Sequence, residues 1–374
     1  MVDLARKNLL HDKLRFVITI SGVAFAVTLV LVQIGLFLGL LSNSTITIER
    51  LPADLWVTSK NTPNIDFAHT FPDSRVQRVR SVPGVQAADN LIVQFMNVAL
   101  PTGAEESSVV YALENFERWK LPWNVLQGNA ADLRRGAYVI LDASAEKRFG
   151  KFQVGDYREF AGTRLKIIGV SKDARSFTTT PISFMDYDLI QRTVSNLANR
   201  TSYIVVKLAP GADPQAVRAE IQRRLPFNDV FTSHEWASRS RNYWIISTGL
   251  GLNMFITVFL GCLVGVVVVA QTLYTSTMEH LKEFGTVKAI GGGNSDIYGI
   301  LARQATISAL IGFVFGAIPS YLVGKMVARA DLKLIIPPSL WVGVFIGTVV
   351  MCLAAAAISF RKVASIDPAL VFRT

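Results

Sequence analysis

Four long stretches of the sequence carry almost no charge, and they constrain the fold more than any other feature. They are Phe16–Leu41, Trp244–Tyr274, Ile300–Met326 and Ile335–Phe360. Each is longer than the roughly 20 residues that a helix needs to cross about 30 Å of hydrocarbon. Only Arg303 and Lys325 interrupt them, each near an end from which a long side chain can reach the membrane interface. The sequence therefore predicts a membrane protein with four transmembrane α-helices.

A region of mixed composition separates the first two stretches, and its length of about 200 residues is that of a domain. Because short β-rich runs alternate with helical patterns in it, we expect residues 49–241 to form one large α/β extracytoplasmic (periplasmic) domain. Two strand-helix-strand sets form its centre, separated by an insertion at about 114–200 that has strands of its own. The runs expected to be regular are Leu55–Thr58, Asp73–Val82, Leu91–Leu100, Val109–Leu113, Tyr203–Leu208, Pro214–Leu225 and Val230–Thr232, with Tyr138–Leu141 and Arg164–Val170 in the insertion.

Basic residues near the ends of the spans predict the orientation, since short loops rich in Lys and Arg stay in the cytoplasm. They precede span one, lie between spans two and three, and follow span four. We expect a bacterial inner (plasma) membrane protein with both termini in the cytoplasm and the large domain in the periplasm. The basic residues that carry this prediction are Arg6, Lys7, Lys13, Arg15, Lys282, Lys288, Arg361, Lys362 and Arg373, against Lys325, Arg329 and Lys333 around the remaining loop.

The first two apolar helices should be longer than the bilayer is thick, because residues 16–48 and 242–278 contain no charge. A stalk that carries the domain explains the excess length, and helix tilt is the alternative. The predicted segments are an amphipathic cytoplasmic helix (1–15), span one and stalk (16–48), the periplasmic domain (49–241), stalk and span two (242–277), an amphipathic cytoplasmic segment (278–297), span three (298–327), a periplasmic loop (328–334), span four (335–360) and a cytoplasmic tail (361–374).

The sequence lacks the motifs of common metal, nucleotide and nucleic-acid binding sites. The four histidines show no His-Glu-x-x-His spacing, so no metal site is expected. No segment matches Gly-x4-Gly-Lys-Ser/Thr, and Gly291–Gly293 follows a helical pattern, as a helix stop does. The net charge of +10 is spread along the chain without a dense basic block, which argues against nucleic-acid binding. We expect neither catalytic activity nor a cofactor bound by this chain.

The segment Met278–Ile297 is the most informative short stretch. Its apolar residues recur at helical spacing on one side, and charged residues occupy the other. Such a helix at the membrane surface needs a partner for its apolar stripe, either lipid headgroups or a groove on a cytoplasmic protein. The apolar side holds Met278, Leu281, Phe284, Val287 and Ile290, and the polar side holds Glu279, Lys282, Glu283 and Lys288.

The stretch Glu279–Gly293 resembles the signature of the MacB/FtsX-type ABC transporter permease superfamily, in which a Glu-x-Gly-x-x-x-Ala-x-Gly segment forms a coupling helix. The ending Arg361–Phe372 is similar to the closing motif of that family, and Asn8–Arg15 is similar to its opening motif. Within the superfamily the chain most resembles DevC-type (heterocyst glycolipid exporter-like) permeases. The segments that carry this last likeness are Ala53–Val57, Leu273–Thr275 and Asp367–Ala369.

The resemblance implies a function. It implies the permease subunit of an ABC-type exporter, which forms a homodimer and takes its energy from ATP bound by a partner ABC ATPase subunit. The resemblance to the superfamily also implies mechanotransmission across the bilayer. For the DevC type it further implies a periplasmic adaptor (membrane fusion) protein, an outer-membrane channel and efflux of a lipid-like or amphiphilic substrate. The residues expected to dock on the ATPase are Leu281, Glu283, Phe284, Gly285, Lys288, Ala289, Ile290 and Gly291.

Small residues inside the spans would let helices approach closely, either at a dimer seam or within one chain. They are Gly249, Gly251, Gly261, Gly265, Gly312 and Gly316, and the two cysteines, Cys262 and Cys352, are expected to pack in the same way.

Other functions stay open at this point. The same fold suits lipoprotein release from the membrane or the control of cell-wall hydrolases. A membrane receptor whose outer domain senses a ligand is a more distant alternative, because only short loops and tails face the cytoplasm. An integral-membrane enzyme would need polar catalytic groups at membrane depth, where the spans offer little beyond Arg303 and Gln304 near one end.

Overall fold

The computed structural model describes residues 13–280, 283, 286, 293–329 and 332–364, with side chains up to residue 360. In these residues the helices are α1 (Lys13–Arg50), α2 (Arg75–Arg80), α3 (Phe116–Trp119), α4 (Glu146–Phe149), α5 (Tyr187–Thr193), α6 (Pro214–Arg224), α7 (Ser233–Asn242), α8 (Leu250–Glu279), α9 (Asn294–Arg329) and α10 (Pro338–Ala364). The strands are β1 (Leu55–Ser59), β2 (Phe71–Pro72), β3 (Val85–Ala99), β4 (Glu105–Leu113), β5 (Val125–Gln127), β6 (Tyr138–Asp142), β7 (Tyr157–Phe160), β8 (Thr163–Ser171), β9 (Ile182–Asp186), β10 (Arg200–Thr201), β11 (Tyr203–Leu208) and β12 (Asn228–Thr232).

The chain forms two compact units. The membrane unit contains the residues up to Gly39 and those from Gly251 onward, and the outer unit contains Leu40–Leu250. Helix α1 contributes to both units because it continues without interruption from Lys13 to Arg50. Its last turns carry several polar residues that are buried, among them Asn43, Ser44, Thr45 and Thr47.

The membrane unit confirms the four predicted transmembrane helices. In the described residues, α1, α8, α9 and α10 are each long and apolar enough to cross a bilayer. The second span begins differently from the expectation, which was a helix that continues without a break from residue 242. Helix α8 begins at Leu250, after Gly249 adopts a left-handed φ of 71° that a helix cannot contain.

Small and β-branched side chains fill the centre of the membrane unit. Val23 and Ala26 of α1 lie in the same buried cluster as Ala305 and Ala309 of α9 and Cys352 of α10. Helices in lipid associate through such close van der Waals packing, because lipid tails are as apolar as the side chains. Cys352 therefore acts as a buried packing residue, while Cys262 is half-buried and both thiols are free.

The outer unit is built on a ten-stranded sheet, which confirms the predicted large α/β domain. Among the described residues the strand order is β12-β1-β11-β3-β4-β9-β6-β8-β5, with β7 paired to β3 and β8. Most neighbours are antiparallel, whereas β4 with β9 and β6 with β8 are parallel. Strands β2 and β10 form a separate antiparallel pair.

The alternation of side chains explains how the central strands separate two cores. In β1, Trp56 lies in one core, whereas Leu55 and Val57 lie in another. The neighbouring β11 repeats the pattern, since Tyr203 joins the first core and Ile204 joins the second. This is the period of two that strands impose. Helices α2 and α6 cover the second face with the buried residues Val76, Val79, Val217 and Ile221.

The strands of the insertion at 114–200 belong to the same sheet, and the predicted runs Tyr138–Leu141 and Arg164–Val170 lie in β6 and β8. Strand β9 pairs in parallel with β4, from Val109 opposite Ile182 to Leu113 opposite Asp186. The free edge of β4 would otherwise leave a row of buried backbone groups without partners. Strands β5, β7 and β9 were not predicted, and the five residues of β9 are all buried, so no alternation marks them.

Candidate functional site

The C-terminal end of α8 lies against the beginning of α1. The Glu279 carboxylate accepts two hydrogen bonds from the Arg15 guanidinium. A paired contact of this kind fixes the mutual orientation of two side chains better than a single ion pair does. This contact was not predicted from the sequence, because the two residues lie 264 positions apart. The pair connects spans one and two at the beginning of the predicted coupling segment.

Of the eight residues predicted to dock on the ATPase, Glu283 lies in the described part of the chain. It is exposed, and its Oε1 lies 3.0 Å from Nδ1 of His280, within hydrogen-bond distance. Helix α9 begins after a turn in which the backbone N–H of Gly293 donates to Asp296 Oδ2 at 2.8 Å. The docking role stays a prediction for all eight, and seven of them fall outside the described residues: Leu281, Phe284, Gly285, Lys288, Ala289, Ile290 and Gly291.

Four of the predicted packing glycines lie against other helices of the same chain. A methyl group on Gly261 would lie 2.8 Å from Leu29 Cδ2, and one on Gly265 would lie 3.1 Å from Ala26 Cβ. The corresponding distances are 2.5 Å from Gly312 to Val23 Cγ1 and 2.7 Å from Gly316 to Ala24 O. These four neighbours belong to α1, and a methyl group on Gly265 would also lie 2.9 Å from Met351 Sδ of α10. The structure thus assigns these glycines to packing within the chain, and the dimer seam stays a prediction.

The other two glycines have different surroundings. Gly249 is exposed, lies in open space and supplies the left-handed turn before α8. Gly251 lies in the first turn of that helix and is partly exposed. Sequence reasoning missed Gly22, where a methyl group would lie 2.5 Å from Val268 Cγ1. Close approach of α8 to α1 therefore uses a glycine on each helix.

Hydroxyl groups hydrogen-bond between the membrane helices where the backbones come close. The hydroxyl of Thr28 on α1 lies 2.8 Å from the carbonyl oxygen of Ala24 on the same helix. It also lies 2.8 Å from the carbonyl oxygen of Gly316 on α9. Ser359 Oγ on α10 lies 2.8 Å from Ala270 O on α8. Such contacts add specificity to packing in an environment without water. Neither residue was singled out from the sequence, because a lone hydroxyl in an apolar run gives no sign of its acceptor.

The outer unit contains a polar cleft of about 1190 Å³. At its base, the buried Asp89 accepts hydrogen bonds from Arg80 at 2.8 Å, Arg118 at 2.7 Å and the Trp119 indole N–H at 2.8 Å. Arg80 also pairs with Glu114 at 2.7 Å. These charge-assisted contacts fix the two guanidinium groups in place. The cleft therefore contains two guanidinium groups, those of Arg80 and Arg118, that are held in position.

Burial changes the titration of two carboxyl groups in this cleft. The pKa of Glu114 is raised mainly by burial, although hydrogen bonds from Asn90 act in the opposite direction. The pKa of Asp186 is raised by burial and by the nearby Asp188. The described residues contain no group of three or more His, Cys, Asp or Glu side chains that could hold a metal ion.

Two family models together match most of the chain. Residues 16–224 match the MacB-like periplasmic core domain, and residues 254–368 match the FtsX-like permease C-terminal domain. The chain belongs to the MacB/FtsX family of ABC transporter permeases. The first model covers α1 and most of the sheet, and the second covers the helices from α8 to α10. Neither model distinguishes a DevC-type member, so that part of the resemblance stays a prediction.

Full-length relatives belong to the same protein class. An uncharacterized ABC transporter permease of Mycobacterium tuberculosis (strain ATCC 25618 / H37Rv) is 24% identical over 375 residues, covering 100% of this chain and 99% of the relative. Another, from Methanocaldococcus jannaschii, is 21% identical over 359 residues, covering 89% of this chain and 86% of the relative. The protein is therefore an ABC transporter permease, a membrane component whose transport cycle requires an ABC ATPase.

Longer proteins match in part. The macrolide export ATP-binding/permease protein MacB of Agrobacterium fabrum is 24% identical over 243 residues, which cover 62% of this chain and 37% of that protein. The crystal structure of the periplasmic region of MacB from Actinobacillus actinomycetemcomitans aligns with 50% of this chain and 92% of that region, at 14% identity and a TM-score of 0.41. The family assignment rests on the sequence matches.

Proposed function

We propose that this permease is the mechanical relay of an ABC-type exporter, in which a separate ATPase drives movement of the outer domain to expel a lipid-like or amphiphilic substrate. The observation that carries the proposal is the continuity of α1. Its 38 residues belong to both compact units. At 1.5 Å per residue the helix is roughly 57 Å long, well beyond the thickness of the hydrocarbon core. A displacement at its cytoplasmic end would therefore reach the outer unit.

The two chain connections between the units differ in stiffness. The first is the uninterrupted helix α1, whereas the second contains the left-handed Gly249 between the turn Tyr243–Ser247 and α8. A helix keeps its direction over many turns, but a glycine junction absorbs changes in backbone angle. We assign transmission of movement to α1 and accommodation of movement to Gly249.

The contact between Arg15 and Glu279 gives this relay an input. Residues after Glu279 form the segment that we expect to dock on the ATPase, and the ion pair attaches its beginning to α1. ATP provides the energy by binding one conformation of the ATPase more tightly than the other. The permease itself would then need no cofactor, in agreement with a sequence that lacks the Gly-x4-Gly-Lys-Ser/Thr motif.

The remaining parts of the proposal concern topology and partners. We place the termini in the cytoplasm and the outer unit in the periplasm, and we propose a homodimer that works with a periplasmic adaptor and an outer-membrane channel. The polar cleft is the surface that we assign to an acidic segment of the adaptor. Its exposed cations Lys120 and Arg192 form no ion pair among the described residues, and Arg134 lies near Asp186.

Substitution of Phe284 tests the docking role. The Phe284→Asp variant should insert normally but fail to co-purify with the ATPase, because a carboxylate cannot enter an apolar groove. The matched variant Phe284→Leu keeps the apolar character and should retain the ATPase. Equal recovery of the ATPase with both variants would refute docking through this residue.

Cysteine labelling tests the orientation separately. In a background without Cys262 and Cys352, a cysteine replacing the exposed Thr286 should resist a membrane-impermeant maleimide in intact spheroplasts and react after lysis. A cysteine replacing Phe227, which is 72% exposed in the outer unit, should react in both preparations. Labelling of the Thr286 position in intact spheroplasts would overturn the relay.

A further inference from the structure

The carboxyl group of Asp66 is buried in the outer unit, where it is 4% exposed. Its Oδ2 has no hydrogen-bond partner among the described residues. The surrounding backbone is firmly placed, since Asn64 Oδ1 accepts hydrogen bonds from the N–H groups of Asp66 and Phe67, both at 2.9 Å. An ionised carboxylate in such a place is costly unless a cation or several donors compensate its charge.

The groups that face Asp66 offer little compensation. The backbone N–H of Phe177 donates to the carboxylate. The hydroxyl groups of Tyr111 and Tyr203 are close enough to interact with its charge, but both tyrosines are fully buried and neutral, and Tyr203 donates to the Ile65 carbonyl at 2.9 Å. In the described residues no Lys, Arg or His forms an ion pair with Asp66. Burial raises the pKa of Asp66 to about 7.

An aromatic cluster connects Asp66 with the chain that leads to the second span. We define it as Phe67, Phe177 and Trp244. The ring of Phe177 stacks on that of Trp244 at 3.8 Å and 12°, and Phe67 lies 5.8 Å from the same indole. Trp244 is buried and belongs to the π-helical turn Tyr243–Ser247, just before Gly249. The neighbours of the carboxyl group in sequence and in space are thus the side chains that pack on this turn.

We propose that Asp66 is a proton-binding site whose occupancy controls how firmly Phe67 and Phe177 pack on Trp244 within the outer unit. The neutral carboxyl group fits its buried surroundings. When the proton leaves for solvent, the remaining charge requires water, and hydration requires the Asn64–Phe67 loop and the loop of Phe177 to move apart. Their separation weakens the aromatic cluster and frees the turn before Gly249. This inference concerns regulation by external pH and does not depend on the relay function.

Hydrogen–deuterium exchange on the full-length protein in nanodiscs tests the proposal. Exchange of the backbone amides in residues 243–248 is compared at pH 6 and pH 8, after correction for the intrinsic effect of pH. With a pKa of about 7, the ionised fraction of Asp66 rises roughly tenfold over this range. Protection of the turn in the wild type should fall by about the same factor if opening follows ionisation.

Two variants make the test specific. Asp66→Asn keeps the shape of the neutral carboxyl group and should leave the turn equally protected at both pH values. Asp186→Asn removes another carboxyl group with a raised pKa, one that lies in the polar cleft, and should keep the wild-type response. Equal protection of the wild type at both pH values would overturn the proposal even if a variant did not fold. A wild-type response that persists in Asp66→Asn would also overturn it.

Discussion

Replacing Gly316 by alanine should destabilise the membrane unit, because the added methyl group has no space. It would lie 2.7 Å from Ala24 O and 2.7 Å from Val27 Cβ, and real Cβ atoms essentially never approach other atoms to within 3.0 Å. The Ala24 carbonyl belongs to the backbone of α1 and cannot rotate away. Helices α1 and α9 must therefore separate by a few tenths of an ångström, which also lengthens the hydrogen bond from Thr28 to Gly316 O.

The expected magnitude combines two opposing effects. Forcing an extra methyl group into a well-packed core costs about 1–3 kcal/mol. Replacing glycine by alanine inside a helix gains roughly 1 kcal/mol, because the backbone loses less entropy. Gly343 in α10 provides the control, since a methyl group there would meet no atom within 4 Å. Gly343→Ala should therefore show the gain alone, and the difference between the two variants isolates the packing cost of about 1–3 kcal/mol.

Unfolding of both variants in mixed micelles by SDS titration, followed by far-UV circular dichroism, measures this difference. Size-exclusion chromatography with light scattering on the same samples reports the oligomeric state. We expect Gly316→Ala to unfold at lower SDS than Gly343→Ala without any change in oligomeric state. If the two variants are equally stable, Gly316 is not packed against α1, and a dimer seam would be the better assignment for it.

Three further predictions concern polar groups. Thr28→Val should cost about 0.6 kcal/mol in the same SDS titration, which is typical of interhelical hydrogen bonds in membranes, and no loss would contradict the contact with Gly316. Glu279→Arg should reduce the ATPase rate of the reconstituted complex, and the double variant Arg15→Glu/Glu279→Arg should restore it; a failure of restoration would contradict the ion pair. Since the pKa of Asp66 is raised from 3.8 to about 7, its contribution to stability is complete below about pH 4 and is lost as pH rises through 7. The loss is at most roughly 4 kcal/mol, so the melting temperature of the wild type should fall between pH 5 and 8, and that of Asp66→Asn should not.

The parts of the fold that could be predicted from the sequence are those set by local periodicity. The apolar stretches are long enough that only transmembrane helices can satisfy their backbone groups. Strands such as β1 and β11 show their two-residue period because each face packs on a different core. Strand β9 escaped prediction because both of its faces are buried, which removes the alternation. The break at Gly249 also escaped, because a glycine within an apolar run is common in membrane helices.

The functional contacts were harder to predict because they join distant residues. In the sequence, Arg15 and Glu279 are ordinary charges at the ends of spans, and only the packing of α1 beside α8 brings them together. Asp66 lies in a polar stretch that is typical of an exposed loop. It is buried because Tyr111 and Tyr203 come from two strands far along the chain and enclose it. The segment predicted to dock on the ATPase shows the opposite case, because its motif is visible in the sequence while most of it lies outside the described residues.

The two connections of the outer unit depend on the same buried region in different ways. At the first connection, Thr47 of α1 interacts with the hydroxyl of Tyr111, and that tyrosine faces Asp66. The continuous helix ending at Arg50 also anchors this connection, so ionisation of one carboxyl group leaves most of its packing intact. The second connection depends on the stacking of Trp244 on Phe177. It is followed by Gly249, a residue that offers little resistance to changes in backbone angle. A change in the charge of Asp66 should therefore alter the freedom of the segment before α8 and leave transmission through α1 unchanged.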